Sequence, residues 1–187
     1  RELARVVLEE PLEVKVWAVR ALGELKQDRS MAPVMEAIRH FHQLLEDEHV
    51  VGRQRARAEW GLQGALTALG QIGGPEALEV LVAHLQHDDP DVVTWAAYGL
   101  GYLGSREAIE PLASIINTAD NRWARQASCR ALARIGGSRS LTILETVAEN
   151  DPHRGVRRAA ADGVRRLGSE TNLAREETRS NESAPQE

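Results

Sequence analysis

Residues Asp89 to Leu112 read DPDVVTWAAYGLGYLGSREAIEPL, and the spacing inside this stretch decides the fold. Leu100 has a small residue, Ala96, four positions before it and an aliphatic, Leu103, three positions after it. Offsets of three, four and seven fall on one face of a 3.6-residue helix, so these residues predict the buried stripe of a helix, here called A. Gly104 follows at once, where a helix end favours a residue that tolerates positive φ. A second stripe begins nine residues past Leu100 with Ile109 and Leu112, which predicts a following helix B. Asp88 and Asp89 before Pro90 supply N-cap side chains and a proline suited to a first helical turn.

The same phrase recurs outward in both directions. Taking Leu100 as the anchor, its counterparts are Leu22, Leu69, Leu132 and Val164, at successive intervals of 47, 31, 32 and 32 residues. The position four before the anchor is Ala18, Ala65, Ala96, Ser128 and Ala160, and three after it stand Leu25, Ile72, Leu103, Ile135 and Leu167. Gly73, Gly136 and Gly168 repeat the stop signal of Gly104, while the first unit has Lys26. The B stripe returns as Met31 with Val34, Leu78 with Leu81, and Leu141 with Leu144. Self-similarity at this period predicts an all-α chain, a right-handed α-solenoid of helical hairpins in which each unit buries its apolar face against its neighbours. Three regions are expected: a remnant helix of a preceding repeat over 1–11, the array of about four and a half repeats over 12–168, and a disordered polar tail over 169–187. The opening without Met also suggests a fragment.

The Asp89–Leu112 unit resembles the short HEAT-like repeat first recognised in phycobilin lyases. DPHRGVRRAAADGVRRLG, from Asp151 to Gly168, is similar to the same consensus, and the likeness covers about residues 12 to 168. The resemblance implies the solenoid fold but spans lyases, scaffolds, adaptors and regulatory domains. The Arg usual near the start of helix A in such repeats matches at Arg125 and Arg157, but Lys15, Leu62 and Val93 stand elsewhere.

The 47-residue interval is about 16 residues too long. The excess lies between helix B of the first unit and helix A of the second, which predicts an extended hairpin near 35–58, each helix longer by about two turns. It carries His42, Glu46 and His49 on one helical face, and His84 and His87 form a second His-x-x-His. No fourth ligand is in view, so solvated faces are the preferred reading and no metal or cofactor is expected. Deoxyhypusine hydroxylase, a di-iron HEAT enzyme, carries paired His-Glu steps, and no His here is followed by Glu.

Net charge is −5, which argues against general nucleic-acid binding, yet residues 120–168 hold ten Arg against five carboxylates. No segment approaches the roughly 18 apolar residues of a membrane span, and there is no phosphate loop, nucleophile elbow or Cys-x-x-Cys. The single cysteine, Cys129, lies inside the A-helix phrase and cannot form an internal disulfide. Together these features lead to the expectation of a cytoplasmic, non-enzymatic scaffold or regulatory module. It would bind a protein partner through a groove lined by B helices, with Glu79, His84, Arg106, Glu110, Asn117 and Arg139 flanking the buried B stripe. The alternative is a bilin lyase or chromophore-handling protein, with Trp95, Tyr98, Tyr102 and Trp123 as the first residues to suspect. A third reading is anion or nucleic-acid binding at the Arg-rich end.

Overall fold

The computed structural model describes residues 11–182, with side chains to 169. Among these residues there are nine α-helices and no strand: α1 (Leu12–Leu25), α2 (Met31–Glu46), α3 (Gly52–Ile72), α4 (Pro75–His84), α5 (Pro90–Leu103), α6 (Ile109–Thr118), α7 (Arg122–Ile135), α8 (Gly137–Asn150) and α9 (Arg154–Glu182). The odd-numbered helices are the A helices and the even-numbered ones the B helices, so the chain is an α-solenoid. The expected remnant helix over 1–11 lies almost wholly outside the described residues.

Helix ends follow the local chemistry. The Asp89 carboxylate accepts the Asp91 N–H at 2.9 Å, with Pro90 in the first turn of α5. Asn121 does the same for α7, accepting from Trp123 at 2.8 Å and Ala124 at 3.2 Å. Pro152, by contrast, stands two residues ahead of α9 rather than in its first turn. Gly73, Gly104 and Gly136 end three A helices at φ of 86°, 71° and 75°, and Lys26 takes the left-handed conformation at φ 47° in the first. Gly168 stops nothing, because α9 runs on to Glu182. The backbone of 169–182 is therefore helical where a disordered tail was expected. Without proline, and with Ala, Arg and Glu at Leu173–Glu177, the segment has the propensity to continue a helix already nucleated by packing.

Consecutive A helices pack on one another along the whole array, whereas B helices lie chiefly against the A helix of the next unit and scarcely meet each other. Small residues make this possible. A Cβ on Gly70 would overlap the Gly99 carbonyl, and Gly23 faces Ala68, Gly101 faces Ala131, and Ala133 faces Gly163 in the same register. The A row is thus closely packed, and the B helices are set apart from one another. Leu69, Leu100, Leu132, Leu81, Leu112 and Leu144 are fully buried between the rows.

The long interval becomes long helices. α3 has 21 residues against 14 in α1, α5 and α7, an excess of two turns, and α2 has 16. Phe41 fills the space beneath Gly61, where any Cβ would strike its ring, and Ala58 and Leu62 complete that core. At the other end, Arg125 ties two units together. Its guanidinium donates to the Asp151 carboxylate at 2.9 and 3.3 Å and to the carbonyls of Ala119 and Asp120 at 2.8 and 3.0 Å. Arg157 instead donates to its own preceding loop, at the Asp151 and Pro152 carbonyls.

Candidate groove on the A-helix face

Two positions of the first four A helices, two before and two after the anchor, face away from the buried stripe. They give parallel ladders: Arg20, Thr67, Tyr98 and Arg130 in one, Glu24, Gln71, Tyr102 and Arg134 in the other. Between α1, α3 and α5 these side chains line a groove of about 540 Å³, with Trp60 and Gln63 from the earlier turns of α3. Trp60, Tyr98, Tyr102 and Arg20 line it, and Arg130 and Arg134 of α7 stand against the two tyrosines. Arg130 donates to the Tyr98 hydroxyl at 2.8 Å, and the Arg134 guanidinium lies 4.1 Å from the Tyr102 ring centre. Arg20 sits 5.8 Å from both the Trp17 and Trp60 rings, which meet edge to face at 5.3 Å. Such an arrangement offers stacking surface to a flat conjugated ligand and cations to its anionic groups.

None of the six residues chosen from sequence lines this groove. Glu79, Arg106 and Asn117 are exposed on B helices or the turn before α6, and Glu110 and Arg139 spend themselves on a two-point ion pair at 2.7 and 3.0 Å. That hydrogen bond holds the Glu110 carboxyl below its ordinary value. The expectation placed the groove on the B row; this groove lies on the A row, between α1, α3 and α5. Of the aromatic residues suspected for a bilin, Tyr98 and Tyr102 are in the groove. Trp95 is half-buried against the core, and Trp123 is exposed beside Arg122 at a separate depression reaching Pro152 and His153. Arg20 was missed, although the plus-and-minus-two offsets would have found it.

His84 belongs to a histidine cluster. Its Nε2 lies 3.1 Å from Nε2 of His42, its Nδ1 bonds the Val80 carbonyl at 2.7 Å, and the His87 ring stacks on His42 at 5.4 Å. Burial, foremost, and the neighbouring imidazoles lower the pKa of His42; burial likewise lowers that of His84. The face shared by His42, Glu46 and His49 is thus replaced by a contact with the next unit. Among the described residues no group of three or more His, Cys, Asp or Glu could hold a metal. Cys129 is fully buried, and burial together with the nearby Asp151 charge pushes its thiol up to about 12. No described helix is long and apolar enough to cross a membrane.

Comparison with known proteins gives these features a setting. The chain is 33% identical over 125 residues to a phycobilisome maturation protein of Synechococcus elongatus, covering 66% of this chain and 58% of that protein. It is 35% identical over 103 residues to the phycocyanin alpha phycocyanobilin lyase CpcF of Synechocystis, covering 55% of this chain and 47% of the relative. The chain thus spans about half the length of these relatives. Among solved structures, the complex of CpcE and CpcF of phycocyanin lyase from Nostoc overlays with a TM-score of 0.61 at 21% identity, over 88% of this chain and 63% of that one, a likeness of fold. The lyases among the relatives overturn the expectation of a non-enzymatic scaffold and favour the bilin-lyase alternative. HEAT repeats are matched over residues 3–101 and 94–165, and with its stacked hairpins and these relatives the chain belongs to the HEAT-repeat family, in the phycobilin-lyase type of that repeat.

Proposed function

We propose that this chain is a bilin-handling subunit of lyase type, which holds an open-chain tetrapyrrole along the A-helix groove and presents it to an acceptor protein. The observation that carries this reading is a groove lined by Trp60, Tyr98, Tyr102 and Arg20, with Arg130 and Arg134 held against its two tyrosines. A bilin is a long conjugated system bearing two carboxylates, so stacking and charge pairing are the interactions it can return. The groove volume falls within the roughly 300–1,000 Å³ range of small-molecule sites. Cys129, the single cysteine, is buried with a raised pKa. A covalent attachment point therefore belongs on the acceptor, and this chain's share of the work is binding and orientation.

Protein partners follow from the same reading: the acceptor, and a second protein, as the complex of CpcE and CpcF pairs two. Nucleic acid is disfavoured, since Arg125, Arg130, Arg139, Arg157 and Arg165 already donate to protein groups. The free, buried thiol suits a reducing compartment, and we place the chain in the cytoplasm.

The test is optical. Phycocyanobilin mixed with the protein should show a shifted and sharpened visible band, and Tyr102→Ala combined with Arg130→Ala should weaken the binding by about tenfold or more. No shift, with or without a phycobiliprotein acceptor, rejects the reading.

A further inference from the structure

B helices scarcely meet one another, so the side chains that do reach across the B row have a joint to themselves. Between α6 and α8 that joint is the Glu110–Arg139 ion pair, two opposite charges that satisfy each other. Between α2 and α4 it is a pair of imidazoles, His42 from the lengthened hairpin and His84 from the next unit. Two neutral imidazoles facing each other can be joined by a proton on an N–H···N bond or by a cation between two lone pairs.

The second nitrogen of each ring decides what the first can do. His84 Nδ1 bonds the Val80 carbonyl at 2.7 Å, which fixes the proton on Nδ1 and leaves a lone pair on Nε2. Metal-binding histidines are oriented in this way, by a donor bond from the far nitrogen to a backbone carbonyl. Nε2 of His42 faces that lone pair at 3.1 Å. Two nitrogens bound at about 2.0–2.1 Å to one tetrahedral zinc stand about 3.3 Å apart, so the rings need little adjustment to share an ion. His42 would then give up its Nε2 proton to the metal's place and carry one on Nδ1. Burial, foremost, lowers the pKa of both rings and favours the neutral form that a metal requires. Both side chains are only half-buried, which lets water reach the remaining coordination positions. The Glu46 charge, one turn on from His42 in α2, favours a cation beside that ring. His87 does not join them: its Nδ1 accepts the Asp89 N–H at 3.0 Å, and its ring stacks on that of His42.

We propose that His42 and His84 form a two-histidine site for a divalent transition-metal ion of the zinc, copper and nickel group, bridging α2 and α4. Two protein ligands fall short of the three or four that closed structural and catalytic zinc sites supply. The site is therefore an exchangeable clamp completed by water, and no reaction is assigned to it. Imidazole ligands disfavour magnesium and calcium, which take oxygen. When filled, the clamp fastens the long hairpin to the unit that follows. It lies on the B row and does not depend on what the groove of the A row holds.

The test uses the untagged full chain, stripped with a chelator, and zinc sulfate as the probe. Calorimetric titration near neutral pH should show one zinc per chain, and His42→Gln or His84→Gln should weaken it by about tenfold or more. His49→Gln and His87→Gln should leave it unchanged. In the unaltered chain the imidazole proton resonances of His42 and His84 should move with added zinc and return with chelator, a readout independent of how well either variant folds. Magnesium sulfate should move neither. No saturable zinc binding, binding indifferent to both substitutions, or resonance shifts led by His49 or His153 overturns the proposal. So does a loss with His87→Gln equal to that with His42→Gln, which assigns the ion to a different pair.

Discussion

Gly99 and Gly64 lie in comparable helices, but their surroundings give them opposite tolerance. A Cβ on Gly99 would stand 2.6 Å from the Leu66 carbonyl oxygen and 2.7 Å from Leu81, backbone and packed core that cannot yield. Gly99→Ala should therefore destabilise the fold by about 1–3 kcal/mol despite its better helix propensity. At Gly64 the nearest atom is Cγ of Arg20 at 3.1 Å, part of a long side chain that can move aside. Gly64→Ala should be neutral or stabilising by up to about 1 kcal/mol, and urea denaturation of the two variants checks both signs. The histidine contact gives a pH dependence. Burial lowers the pKa of His42 and His84 below 6.5, so the folded state binds fewer protons than the unfolded one as pH falls below that value. Their contribution is intact above about pH 6.5 and is lost as pH falls towards the lowered values. The urea midpoint should drop between pH 7.5 and 5.5, and His42→Gln with His84→Gln should flatten that part of the profile.

Between elements, Arg125 and Asp151 show how a unit is tied to its successor. Their side chains are 11% and 5% exposed, so truncating one leaves the other buried without its partner. Asp151→Ala leaves Arg125 two carbonyls to donate to, whereas Arg125→Ala leaves the Asp151 carboxylate only the His153 N–H. Arg125→Ala should cost about 3–5 kcal/mol, and Asp151→Ala distinctly less, as read by thermal melts of both. The A-helix stripes, their glycine stops and the extra turns of α2 and α3 were legible in the sequence, because each depends on residues close together in one helix or on a break in the period. In the central units the clamp position holds Leu62 and Val93, both buried, so apolar packing replaces it there. The groove was not legible in the same way. Which row of helices draws together depends on pairs such as Gly70 with Gly99 or Gly101 with Ala131, about 30 residues apart. Tyr98 and Tyr102 were found because they sit in the repeat phrase; Trp60 stands nine residues ahead of its anchor on a lengthened helix and joins the groove through tertiary placement alone.

As a whole molecule the chain is quasi-one-dimensional, each unit touching only its neighbours, so stability is a sum of unit terms and interface terms. The position of a damaged interface should then decide how the array comes apart. Gly99→Val wedges α5 away from α3 in the interior of the stack and weakens the coupling between the units before it and those after it. The two halves should lose their common transition, giving a broadened or two-step urea curve with a reduced apparent slope. Gly163→Val is chemically the same change at the last interface, where a Cβ already stands 2.9 Å from Ala133 and from Leu144. α9 and α8, which lies chiefly against it, depend on that contact, so both should fray while α1 to α7 keep their cooperative transition near the original midpoint. Amide hydrogen exchange separates the cases residue by residue: protection lost over α8 and α9 alone in Gly163→Val, and across both sides of the α3–α5 contact in Gly99→Val. Equal global destabilisation by the two substitutions, with one sharp transition in each, would show that the array folds as a single unit rather than as coupled repeats.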